Sequence, residues 1–189
     1  MRTLITTPPG PAFDLQTLRD QVRVDAIGDS HPDDALLLRG AAAARAFAES
    51  YTGRAIGEQT REIAGDGFWD LANHPFPGGR PDSIEAFEHR TAGVPTWTAL
   101  DLAAYYYDEY EGVVRIWAGA VLPSLPNVLN AVRIRYVIGS DIPPDVRAAM
   151  LLFVAELYMN RETSSQVKLE VVPVSVYALL APHRLELGV

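Results

Sequence analysis

The sequence predicts an α+β fold: a small helical bundle with helices near 14–25, 32–52 and 144–161, an inserted antiparallel β region at about 55–139, and extended N- and C-terminal arms. Three observations predict it. Apolar residues recur at helical spacing before Gly53 and again after Pro144. Between these stretches the pattern breaks into short runs divided by turn clusters such as Pro77-Gly78-Gly79-Arg80-Pro81. Finally, Val132, Ile134, Tyr136 and Ile138 alternate with Ala131, Arg133, Arg135 and Val137, the period-two signature of a strand with one buried face and one face bearing arginine.

In chain order, residues 1–13 read as an extended arm, because Pro8, Pro9 and Pro11 remove donors and bias their neighbours away from helix. Asp14 is an N-cap, followed by Leu15, Leu18 and Val22 at helical spacing, with an end expected near Asp25 to Gly28. Ser30-His31-Pro32-Asp33-Asp34 is a second helix start, with two acids facing the positive helix end. From there Leu36, Gly40, Ala43, Phe47 and Tyr51 form an apolar stripe, and Gly53 closes the helix as its left-handed terminator. Ser83–Glu88 and Gly112–Ala118 are further strands, while residues 94–111 fit a strand or a short helix equally well. The helix opened by Pro143-Pro144-Asp145 contains eight consecutive apolar residues, 148–155, more than one apolar stripe needs. After a polar break at 163–168, the stretch 171–189 is apolar but interrupted by Pro173 and Pro182, and reads as a tail that packs on something else.

Composition excludes several classes. There are no cysteines, so disulfides and thiolate metal sites are ruled out. A formal charge of −8, with no basic block, argues against a surface that releases counterions from DNA. No apolar run approaches the ~20 residues of a membrane span, and no secretory signal is evident, so a soluble chain made in a cytoplasm is expected. The four histidines, His31, His74, His89 and His183, show no metal-binding spacing, and no P-loop, GxSxG or GxGxxG is present. Asp33 and Asp34 could be paired carboxylates, but helix-dipole compensation explains them more simply. Tyr105 to Tyr110 could stack bases, but no basic groove adjoins them in the sequence. No catalysis, cofactor or metal is expected.

Several short motifs in a fixed order resemble the head–tail connector (adaptor) proteins of tailed double-stranded-DNA phages and gene transfer agents. They begin with Leu4-Ile5-Thr6-x-Pro8-Pro9 leading into Leu15-x-x-Leu18-Arg19-x-x-Val22-Arg23-Val24-Asp25. Next come Asp33-Asp34-Ala35-Leu36-Leu37, Ala44-Arg45 and Tyr51-Thr52-Gly53-Arg54-Ala55-Ile56 with Gln59-Thr60, and then the Pro77–Pro81 turn. Last, Val132-Arg133-Ile134-Arg135-Tyr136-x-x-Gly139 runs through Ile142-Pro143 to Ala148-Met150-Leu151-Leu152 and Leu157-Tyr158-x-Asn160-Arg161-Glu162. The resemblance covers roughly residues 3–163, and residues 94–112 depart from the family's pattern.

The resemblance implies a single connector domain, 1–189, with its β insertion at 55–139 and a C-terminal docking tail at 163–189. It implies a structural, non-enzymatic protein at the head–tail interface of a phage-like particle, assembled in the host cytoplasm. Copies of the chain would form a ring, commonly of twelve, beneath the portal, extend the DNA channel and dock the tail. The implied partners are further copies of itself, the portal protein, a tail-side stopper or terminator protein, and double-stranded DNA passing without sequence-specific contact, with no membrane. Portal docking would use Val174, Val176, Tyr177, Leu179, Leu180, Arg184 and Leu185, and helix packing or the subunit interface would use Met150, Phe153, Val154, Leu157 and Tyr158. Asp33, Asp34, Glu109 and Glu111 are the candidate acids facing the channel. The alternatives are another tail-assembly component, such as a stopper or tail-completion protein, and a small cytoplasmic enzyme with an unrecognised site.

Overall fold

The computed structural model describes residues 2–25, 29–94, 96–160 and 173–185. It is α+β, and its two compact units are Met1–Pro9 with Glu58–Ser140, and Gly10–Gly57 with Asp141–Val189.

The first unit is a sheet. Strands β1 (Arg2–Thr7), β2 (Gln59–Gly65), β3 (Ser83–Arg90), β4 (Trp97–Ala99) and β7 (Val132–Ile138) form one antiparallel sheet in the order β1-β2-β7-β3-β4. Strands β5 (Tyr105–Asp108) and β6 (Val113–Ile116) form a separate hairpin. β7 is central, and its burial alternates residue by residue as the sequence pattern requires. Ile134 and Tyr136 are fully buried, together with Ile63 of β2, Phe87 of β3, and Leu71 and Phe76 from the β2–β3 connection. The hairpin lies on this same face: the Tyr105 ring meets Phe87 edge-on at 5.2 Å, and the Tyr107 hydroxyl donates to the Pro81 carbonyl at 3.2 Å. The stretch that fitted strand or helix equally well thus holds two strands, β4 and β5, and Tyr105 and Tyr107 serve packing. The N-terminal segment differs from the extended arm expected. Residues 2–7 pair with β2 as an edge strand, and the prolines follow where that strand ends.

The second unit is helical: α1 (Leu15–Val22), α2 (Asp34–Thr52), α3 (Pro144–Met159) and α4 (Val174–Leu180). The Asp14 carboxylate accepts the Thr17 backbone N–H at 2.8 Å, a side-chain N-cap. α1 stops earlier than expected because Arg23 turns left-handed, at φ 57°, and its N–H closes back on the last turn. Gly53 ends α2 at φ +73°, a conformation that favours glycine. The buried line on α2 is one residue over from the predicted stripe: Leu37, Ala41, Ala44 and Ala48. Alanines give α3 a close approach, so the larger Phe47 and Tyr51 stand beside the contact instead of inside it.

α3 buries Val146, Ala149, Met150, Phe153 and Val154 against α1, α2 and α4. The tail supplies part of that cover. At 173–185 it is not an extended arm, because Val176 and Leu180, four residues apart, project from one face of α4 into the core. Phe47, Tyr51, Phe153 and Tyr177 form an aromatic cluster around it, with ring centroids 5.1–6.1 Å apart. The Leu185 N–H donates to the Thr52 carbonyl at 2.7 Å, and His183 Nε2 lies 2.6 Å from Asp145 Oδ2. The tail residues 163–172 and 186–189 lie outside the described residues.

Because Leu180 is fully buried, Leu180→Ala is expected to destabilise the protein by roughly 2–5 kcal/mol, read by urea denaturation of the full chain. A variant as stable as the parent would show that α4 does not hold the helical core.

Candidate functional site

The side chains left at the surface define the candidate surfaces. In the helical unit, Met150, Phe153 and Val154 lie inside the chain's own core, and Leu157 and Tyr158 are half-buried against it. The outward face of α3 instead carries Ala148, Leu152 and Met159 at the surface, at helical spacing, with half-buried Ala155 between them. Of the predicted docking residues, Val176 and Leu180 are interior, Leu179 packs partly against the core, and the Leu185 side chain lies beside Gly53. Val174, at 67% exposure, and Arg184 remain outward, with the Arg184 guanidinium over the Tyr51 ring at 5.3 Å.

The predicted channel acids divide into two pairs. Asp33 and Asp34 each hold partners within the helical unit. The Asp34 carboxylate takes both nitrogens of a guanidinium fork from Arg19, at 2.9 and 2.5 Å, and the His31 backbone N–H at 2.9 Å. The Arg19 hydrogen bonds, then the His31 N–H, hold the Asp34 carboxyl down at about 2. Asp33 accepts the Tyr158 hydroxyl at 2.7 Å. Glu109 and Glu111, by contrast, are exposed at the tip of the β5–β6 hairpin, on either side of Tyr110.

That tip is held in shape. The Asp108 carboxylate accepts the backbone N–H groups of Tyr110 and Glu111 at 3.1 and 3.2 Å, and Arg115 at 2.8 Å. Arg80 donates to the Tyr110 carbonyl at 2.8 Å, while the Tyr110 side chain projects 93% exposed.

The face of the sheet opposite the core was only partly legible in the sequence. Register places Glu62 beside Arg135 and Glu88 beside Arg133, and the side chains cross-link three strands. Arg133 donates to Glu88 at 2.7 Å and to Glu62 at 2.9 Å, and Arg135 lies 3.9 Å from Glu88 and 3.7 Å from Glu62. The Arg90 and Arg133 guanidinium carbons lie 4.4 and 4.3 Å from the centroid of the Trp97 ring. Beside this stack opens a groove of about 410 Å³, lined by residues that include Arg2, Leu4, Glu62, Arg90, Trp97 and Arg133. The alternating arginines of β7 signalled this face, but their carboxylate partners sit on strands whose neighbours only the topology reveals.

Among the described residues no group of three or more side chains is placed to hold a metal ion, and no helix is long and apolar enough to cross a membrane.

No protein-family profile matches the chain, and no curated protein is similar to it. Solved structures are. One is a chain in the neck of an empty gene transfer agent particle computed with C6 symmetry, 24% identical, with a TM-score of 0.71, covering 97% of this chain and 95% of that one. A chain in the virion of a native gene transfer agent particle is 25% identical, with the same TM-score and coverage. A third, in the neck of a native particle computed with C12 symmetry, is 24% identical with a TM-score of 0.68. The fold is thus that of a gene transfer agent neck chain over nearly its whole length, consistent with the head–tail connector resemblance of the sequence.

The Asp34 shift has a pH consequence. A carboxyl depressed in the folded state stabilises it above the unfolded value of 3.8, and that contribution is lost as pH falls towards about 2. Asp34→Asn is expected to lower the thermal midpoint at pH 7 and to flatten its decline between about pH 4 and 2. An acid limb unchanged in the variant would place the titrating groups elsewhere.

Proposed function

We propose that this protein is a structural head–tail adaptor of a phage-like particle. Copies form a ring beneath the portal that extends the DNA channel and docks the tail. The observation that carries this reading is the fold shared along almost the entire chain with neck chains of gene transfer agents, in particles computed with C6 and C12 symmetry. Cyclic repetition of an asymmetric subunit requires two different surfaces on each copy, in a contact that closes by rotation. The partners are further copies, the portal, a tail-side stopper or terminator protein, and double-stranded DNA. An acidic chain, charge −8, suits a channel wall that lets the duplex slide, since few Lys/Arg–phosphate contacts form. Glu109 and Glu111 remain available for such a wall, and Val174, Tyr177 and Arg184 for docking on the portal.

The test is direct. Purified chain is mixed with portal-bearing particles that lack a neck, and the particles are imaged. Rotationally symmetric density beneath the portal is expected, and bare portals would overturn the reading.

The docking role of the tail has its own check. Val174→Glu leaves the core untouched and puts an acid in the first turn of α4, where it is tolerated. It should leave the thermal midpoint nearly unchanged and reduce portal occupancy by about tenfold. Full occupancy with the variant would show that α4 is not what grips the portal.

A further inference from the structure

We infer that the arginine–tryptophan groove of the sheet receives the Glu109-Tyr110-Glu111 hairpin tip of a second copy of the chain. The inference rests on the ring reading and names the contact through which copies would meet.

The groove and the tip complement each other in charge and in shape. Arg2 and Arg90 line the groove and have no carboxylate partner among the described residues, unlike Arg133, which Glu62 and Glu88 neutralise. The tip offers two carboxylates with no ion-pair partner among the described residues, Glu109 and Glu111, and one aromatic ring almost wholly in water. The Arg90 guanidinium, stacked on Trp97, provides a flat cationic surface for that ring and a cation for its flanking acids. The Asp108 and Arg80 hydrogen bonds already fix the tip backbone, so little conformational freedom is lost on docking.

Geometry decides between self-pairing within one copy and pairing between copies. The hairpin packs on the Phe87 face of the sheet, and the groove opens on the Glu88–Arg133 face. Because β3 side chains alternate, these are opposite faces. Tip and groove of one sheet therefore point away from each other, and the contact is heterologous: each copy gives a tip to one neighbour and accepts one from the other. A hairpin tip falls short of the ~1,000 Å² of a standing interface, and exposed ion pairs are individually weak. The contact should be transient between free chains and effective when many copies are held together.

The absence of cysteine in the chain makes disulfide trapping clean. Full-length Leu4→Cys and Tyr110→Cys chains are mixed in solution under mild oxidation and compared with each chain alone. The mixture should give a cross-linked heterodimer in about tenfold excess over either homodimer. A chain carrying both cysteines should give a ladder of oligomers. Arg90→Glu in the groove, or Glu109→Arg with Glu111→Arg in the tip, should cut the yield about tenfold, and combining Arg2→Glu and Arg90→Glu chains with the tip-reversed chain should restore it. Homodimers alone, or a yield indifferent to charge reversal, would overturn the contact. So would loss of the cross-link on adding a short DNA duplex that binds the parent but not Arg90→Glu, which would assign the groove to phosphate. These outcomes stand apart from the ring reading: rings imaged under portals without the cross-link refute only this contact, and a cross-link ladder with bare portals refutes only the neck role.

Discussion

The sheet unit depends on Arg133. It stands on the central strand, and its guanidinium joins carboxylates from the strands on both sides, Glu62 and Glu88, while lying against Trp97. Removing one partner would leave the others half-buried and uncompensated, which is costlier than any exposed ion pair. Its chain neighbours Val132 and Ile134, which point to the other face, are both fully buried. One strand thus anchors the hydrophobic core on one side and the charged lattice on the other. The groove exists because this lattice absorbs the middle of the arginine face and leaves Arg2 and Arg90 at its margins.

The helical unit solves a different problem. Eight apolar residues in succession put grease on every side of α3. α1 and α2 cover one side, and the short C-terminal helix covers another through Val176 and Leu180. The side still open, Ala148, Leu152 and Met159, is a single narrow line, which water tolerates better than a broad patch.

The legible parts of the fold were those with a strong period. β7 alternates without a break, and Gly53 and Pro144 punctuate their helices as their backbone preferences dictate. The illegible parts lack one. All six residues of β1 are exposed, so the strand carries no alternation and its three following prolines dominate the pattern. β4 has three residues, too few for any period. α4 buries only Val176 and Leu180, and Pro173 and Pro182 frame it so closely that it resembles a loop. The sequence pointed to Asp33 and Asp34 as a charged pair but gave no sign of their partners, because Arg19 lies a helix away and Tyr158 more than a hundred residues on. Trp97 fell in the one stretch that could not be assigned, so its stacking with two arginines was out of reach.

The strand order has a consequence for how the chain is made. β7 sits between β2 and β3, yet it is synthesised after both. At about 5–20 residues per second, a nascent chain waits several seconds with two bare strand edges facing an empty slot. The shortcut, zipping those edges together, would bring Glu62 and Glu88 into one neighbourhood with no cation between them, and like charges on adjacent strands repel. Like charges there disfavour the shortcut by roughly 0.2–1 kcal/mol, and the penalty disappears once β7 brings Arg133 between them.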